Sequence, residues 1–305
     1  MTKKIIIPLI GILVLIVSTV FLVSRGLQEA DKNTAPIDDT IKRIAVTATI
    51  YPWAFVAERV GGDRVTVTVT TPAGAEPHDY EPTPRDIADA KNSKIFILNG
   101  LGMDAWAERI LPEMQSAGIQ TVKISNLTQT SEDPHIWLNL DVMNKAASKL
   151  AEILSQVDPT NKDFYTVNAE QLKTDLALMD DKYKNKLQNC DLRFIIVSHE
   201  AFGYLAKRYD INAINIAGLS AEEEPSAKHL SEITDLVKEK GIRYIFFETL
   251  VSSKLSEVIA SETKAETLVL NPIEGLSENE ISEGKDYLMV MADNLVNLQR
   301  AMLCH

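Results

Sequence analysis

Three of the five histidines in this chain, His78, His135 and His199, stand where a metal ion could be held. His78 lies in GAEPHDYEPTPRDIADA (residues 74–90), among Glu76, Asp79 and Glu81 and between prolines at 77, 82 and 84. The prolines fix φ and leave this loop few conformations to lose, which suits a side chain that must wait in one place. His135 occurs in SEDPHIWLN and His199 in FIIVSHEAFGYLA. Neutral imidazoles and one carboxylate make a four-coordinate shell suited to Zn²⁺ and compatible with Mn²⁺ or Fe²⁺. Glu274 in LVLNPIEGLSENE is the preferred carboxylate, with Glu248 in RYIFFETL as the alternative or as a partner behind a ligand. Glu76 could offset the ion's charge or orient an imidazole.

Each histidine taken alone is more often structural than ligating. His229 reads as a surface residue of a helix, His305 as a disordered chain end, and AEEEPSAKH (221–229) as a solvated acidic loop. Glu248 could equally pair with Lys254. Three histidines point to a metal only through where they fall relative to the elements that carry them.

Short β-branched runs alternate with helical segments from residue 43 onward. Strands are expected at 43–50, 64–70, 93–99 and 120–125, with helices at 52–60, 103–114 and 140–157. A second set of strands is expected at 193–198, 211–217, 243–248 and 266–270, closed by one helix from Ser277, which forms a capping-box pattern with Glu280, to about Leu303. This βα alternation predicts an α/β protein with two similar lobes, each a mostly parallel sheet flanked by helices. Residues 160–189 contain neither Gly nor Pro, and apolar residues recur at helical spacing at Phe164, Val167, Leu172, Leu176, Met179, Tyr183 and Leu187. One backbone helix of about 28 residues, roughly 42 Å long, would join the lobes. All three histidines follow strands, and ligand sites in open parallel sheets lie beyond the carboxyl ends. Two come from the first lobe and one from the second, so they can meet only in the cleft.

The expected division is a membrane anchor or signal at 1–25, a polar tether at 26–42, lobes at 43–158 and 190–305, and the linking helix at 159–189. Lys3 and Lys4 precede an apolar run of 19 residues, which should place the remainder outside the cytoplasm, anchored if the segment stays and secreted if it is cleaved. A formal net charge of −12 argues against nucleic acid as a partner. In an exported protein the two cysteines, Cys190 and Cys304, favour a disulfide.

The stretches GAEPHDYEPTPRDI, DPHIWLN, VSHEAFGYLAKRYDI, GLSAEEEPSAKHL, FFETLVSSKLSEVIASE and LNPIEGLSENEISEGKDYLMVMADNL resemble the metal-specific solute-binding proteins of ABC importers, especially the zinc group. The resemblance covers about residues 43–304. It implies a non-enzymatic, monomeric protein that loads Zn²⁺ between its lobes and passes it to a membrane permease. The family's three histidine ligands fall on His78, His135 and His199, and in one zinc-binding branch the glutamate of NPxEGL, here Glu274, completes the shell. Manganese relatives place a carboxylate where His199 stands, so the third histidine favours zinc over Mn²⁺. The chain departs from many zinc members in its short SNLTQTSEDPH loop, which has no extra histidine, and in having no lipid-modifiable cysteine near its start. The competing classes are a zinc metallohydrolase with an open coordination position, although no H-E-x-x-H stretch is present, and an adhesin with a structural metal.

Overall fold

A computed structural model describes residues 43–129 and 132–305. The anchor or signal and the tether expected before residue 43 lie outside the described residues. Among those described, no helix is long and apolar enough to cross a membrane.

Two four-stranded parallel sheets form the frame. The first contains β1 (Ile44–Ala48), β2 (Val65–Val69), β3 (Ile95–Leu98) and β4 (Gln120–Lys123), in the order β2-β1-β3-β4. The second contains β5 (Phe194–Val197), β6 (Asn212–Asn215), β7 (Tyr244–Phe247) and β8 (Glu266–Val269), in the equivalent order β6-β5-β7-β8. All six strand pairs run parallel. The inner strand β3, IFIL, is buried at every position, as a strand covered on both faces must be. The edge strand β2, VTVTV, alternates, with Val65 buried and the threonines turned outward. In each sheet the chain goes to one side of its first strand and then crosses to the other. The resulting crevices lie between β1 and β3 and between β5 and β7.

The linking helix spans Lys162–Leu187, 26 residues or about 39 Å at 1.5 Å per residue. Its buried face is Tyr165, Ala169, Leu172, Leu176, Met179, Tyr183 and Leu187. Val167, expected on that face, is instead 66% exposed, because Tyr165 and Ala169 carry the stripe through the first turns. The helix is fastened to both lobes. Asn168 donates to the Val60 carbonyl at 3.0 Å, and the Tyr183 hydroxyl donates to the Met291 carbonyl at 2.7 Å.

Two local features differ from the sequence expectation. The final helix is broken into Glu278–Ser282 and Tyr287–Met302. Gly284 adopts φ 69°, a left-handed conformation that ends the first piece, and the Asp286 side chain accepts from the Met289 N–H to start the second. The capping box of Ser277 and Glu280 is present as expected. The proline-rich stretch after His78 also contains a helix, Pro84–Lys91. Thr83 and Asp86 cap it reciprocally, and Pro84 occupies its first turn, where a missing N–H costs little.

Cys190 and Cys304 form a disulfide that pins the carboxyl terminus to the segment leaving the linking helix. Backbone bonds from Leu192 N–H to the Met302 carbonyl and from His305 N–H to the Asn189 carbonyl run alongside. Closing a loop of 114 residues stabilises the fold by about 4–5 kcal/mol in the chain-entropy treatment. The terminal His305 is held there as well, with its ring 3.1 Å from Asp191.

Asp180 of the linking helix ties the second lobe to this spine. Arg208 forks onto its carboxylate with bonds of 2.7 and 2.8 Å, while Lys184 and the Tyr209 hydroxyl donate at 2.6 and 2.9 Å. Arg208 also reaches Asp141 of the first lobe at 3.1 Å. The Arg208 hydrogen bonds hold the Asp180 carboxyl far below the usual aspartate range. Because the folded-state pKa is depressed, the stabilisation is complete above the unfolded aspartate value of about 3.9 and is lost as pH falls below it. Asp180→Asn should cost about 2 kcal/mol at pH 7. Denaturant midpoints of metal-free protein should show that difference narrowing by pH 3, and a difference independent of pH would contradict the assignment.

Candidate metal centre

The cleft between the two sheets is where the loops at the strand ends meet. After β2 the chain makes a 3-10 turn, Pro77–Asp79, that carries His78. Pro77 is buried at the start of this turn, and the Glu76 side chain accepts the His78 N–H at 3.2 Å. After β4 the chain places His135 ahead of a second 3-10 turn, Ile136–Leu138. Here the Asp133 side chain accepts the His135 N–H at 2.9 Å. Both loops therefore use one local device, an acid, a proline and then the histidine, in which the acid two residues back fixes the histidine backbone. His199 and Glu248 follow β5 and β7 directly, on either side of the crevice in the second sheet, and Glu274 follows β8.

His78, His135, His199 and Glu274 converge, with one ligating atom from each lying within 4.8 Å of the others. His135 Nε2 is 3.2 Å from His78 Nε2 and 3.1 Å from His199 Nε2. Glu274 Oε1 lies 3.2, 3.3 and 3.7 Å from the Nε2 atoms of His135, His199 and His78. Four tetrahedral donors around Zn²⁺, at about 2.0–2.1 Å each, would be separated by about 3.3–3.4 Å. The five distances match that figure to within a few tenths of an ångström.

Hydrogen bonding behind the rings sets which nitrogen faces the centre. His135 Nδ1 is 2.7 Å from Asp133 Oδ1, and His199 Nδ1 is 2.8 Å from Glu248 Oε1. A carboxylate only accepts, so each Nδ1 carries the proton and each Nε2 presents its lone pair inward. His135, His199 and Glu274 are fully buried, while His78 keeps a side-chain exposure of 10% and forms the one wet edge of the shell. Neither oxygen of Glu274 makes a well-formed hydrogen bond within the protein, although both are buried. A buried carboxylate without donors is costly unless a cation sits against it.

The charges follow. Burial opposes ionisation of Glu274, but the three facing imidazoles outweigh it and hold the carboxyl well below its usual range. Burial likewise opposes a charged His199, yet its bond to Glu248 and the Glu274 carboxylate facing it raise the ring to about 10. His135 is raised too, against its burial, by Asp133 and Glu274. Without a cation, a proton takes part of its place, and loading a metal must expel it.

Glu248 neither joins the convergent atoms nor pairs with Lys254; it is buried behind His199. Glu76 also stays outside the shell, next to Glu274. Burial and the Glu274 charge push its carboxyl up to about 9. His229 is half-buried instead of free on the surface, since its ring lies 3.0 Å from the Asn215 carbonyl at the start of the helix Ala227–Lys240. Asp133 was not assigned a role from sequence. The signal was present in the repeated pattern Glu76-Pro77-His78 and Asp133-Pro134-His135.

Residues 46–301 match the family described as "ZnuA: Zinc-uptake complex component A periplasmic". The chain is 32% identical over 281 residues to the high-affinity zinc uptake system protein ZnuA of Bacillus subtilis (strain 168), covering 86% of this chain and 88% of that one. It is 30% identical to the zinc-binding lipoprotein AdcA of Streptococcus pneumoniae over 85% of its own length, but spans only 56% of that longer protein. Among solved structures, the Zn(II)-bound ZnuA-like domain of Streptococcus pneumoniae AdcA superposes with a TM-score of 0.75 at 31% identity, covering 85% of this chain and 99% of that domain. The two equivalent parallel sheets, the long helix joining them and the match across nearly all the described residues place this chain in the ZnuA family, the zinc-type solute-binding proteins of ABC importers.

Proposed function

We propose that this protein captures one Zn²⁺ ion outside the cytoplasm and delivers it to the membrane permease of an ABC importer. His78, His135, His199 and Glu274 are the ligands in this reading. The observation that carries it is the spacing of their four inward atoms, 3.1–3.7 Å for the five measured pairs, which suits a tetrahedral ion. Three imidazoles and one carboxylate oxygen favour zinc over Mn²⁺, which prefers more oxygen donors. One chain supplies the whole shell, so a monomer suffices.

A fourth protein ligand also separates this reading from a hydrolase. Catalytic zinc keeps a position for water or substrate, whereas Glu274 fills that position here. The bound ion would keep one net positive charge after Glu274, facing Asp133 and Glu248 one imidazole away. The acidic partners thus tighten the hold on the ion while keeping each ring in the ligating tautomer.

Competitive titration of metal-stripped residues 43–305 against a chelator of known affinity should give one equivalent of Zn²⁺ bound more tightly than Mn²⁺. His199→Ala should lower zinc affinity by orders of magnitude while leaving the metal-free protein folded, and an unchanged dissociation constant would refute the ligand set. Glu274→Ala should cost less, because water can replace the oxygen. Asp133→Asn should weaken zinc by about ten- to a hundredfold through loss of His135 orientation, measured in the same titration. No change there would remove Asp133 from the account.

A further inference from the structure

Immediately before Glu274, Ile273 adopts φ 62°. It is the only β-branched residue among the described non-glycine residues with positive φ, and it is fully buried. A β-branched side chain in the left-handed region crowds its own backbone, a strain that surrounding structure must offset. Hydrogen bonds on both sides hold this backbone. Asn271 Oδ1 accepts the Ile273 N–H at 2.7 Å. Asn271 is in turn clamped by Asn294, which accepts its N–H at 2.9 Å and donates to its carbonyl at 2.7 Å. The remaining tie comes from the other lobe, where Trp137 Nε1–H donates to the Pro272 carbonyl at 2.6 Å.

Trp137 stands two residues after His135, and Pro272 two residues before Glu274. This single buried hydrogen bond therefore couples a ligand segment of the first lobe to one of the second. Trp137 is itself fixed, being fully buried and accepting the Tyr287 hydroxyl at its carbonyl at 2.7 Å. From this geometry we infer that Trp137 is a positioning residue for the metal centre: its indole N–H keeps the Pro272–Ile273 backbone in the left-handed turn that aims Glu274 at the three imidazoles. Without it the turn relaxes to an ordinary conformation and the carboxylate swings away. Zinc binding must then restore the turn, and affinity falls by the fraction of molecules that retain it. The inference rests on the zinc-binding reading above and adds the device that makes Glu274 a ligand.

The test is a double-mutant cycle read as zinc dissociation constants by chelator competition, with thermal melts of the metal-free proteins to confirm folding. Trp137→Phe keeps an apolar ring and removes the donor. It should weaken zinc by about tenfold in the otherwise native chain. In a Glu274→Ala background the same change should alter affinity less than about twofold, since there is no carboxylate left to aim. A full effect in both backgrounds would show a general structural role and overturn the inference, as would no effect in either. Should Trp137→Phe fail to fold, Asn271→Ala removes the acceptor for Ile273 N–H and is judged by the same two comparisons. Failure of the unaltered protein to bind zinc would instead strike the functional reading itself, so the two failures are told apart.

Discussion

Four atoms bearing lone pairs, three imidazole nitrogens and one carboxylate oxygen, are brought within a few ångströms of one another where water hardly reaches. Such a group repels itself unless a cation, or a proton standing in for one, lies among its members. The rest of the molecule can be understood as what is needed to hold that arrangement in advance of the ion. Two sheets of the same topology put their strand ends face to face, and a 26-residue helix packed against both keeps the faces at a fixed distance. Hydrogen bonds then cross the cleft next to the ligands: Trp137 to Pro272, Tyr204 to the Asp133 carbonyl at 2.9 Å, and Gly74 N–H to the Leu276 carbonyl at 3.1 Å.

Preorganisation of this kind suits a carrier. An ion entering a nearly formed shell gains coordination without ordering long loops, so little of the binding energy goes to entropy. The partly exposed His78 is the one member of the cluster at the wet edge, and its stiff Pro77 turn limits how far it can move. Gly203 shows how closely the lobes approach beside Asp133. A Cβ added there would lie 2.9 Å from Asp133 Oδ2, against the carboxylate that orients His135.

Most of the architecture was legible in the sequence because it depends on local pattern. β-branched runs, helical periodicity and strand-end placement were enough to find eight strands and the linking helix, and to bring three histidines to one cleft. The three histidines stood out because they follow strands at matching positions in the two lobes, and His78 also because a stiff, acidic loop is an unusual setting for a core residue. What escaped was set by tertiary contact or by short capping signals. Gly284 and Asp286 split a helix whose apolar spacing ran on unbroken. Glu248 was placed at the site from sequence, as an alternative ligand or a partner behind one, but which histidine it meets is visible only once β5 and β7 are neighbours. The left-handed turn at Ile273 has no local signature, since nothing in NPIEG demands positive φ at an isoleucine; the bonds from Trp137 to Pro272 and between Asn294 and Asn271 come from distant parts of the chain.

The central claim concerns the coordination shell, and X-ray absorption at the zinc edge of the protein loaded with one equivalent addresses it most directly. The account predicts four nitrogen or oxygen scatterers at about 2.0 Å, with the outer-shell pattern of three imidazoles and no sulfur. A spectrum with fewer than two imidazoles, or with five or six oxygen-dominated ligands, would mean that the ion does not sit among His78, His135, His199 and Glu274.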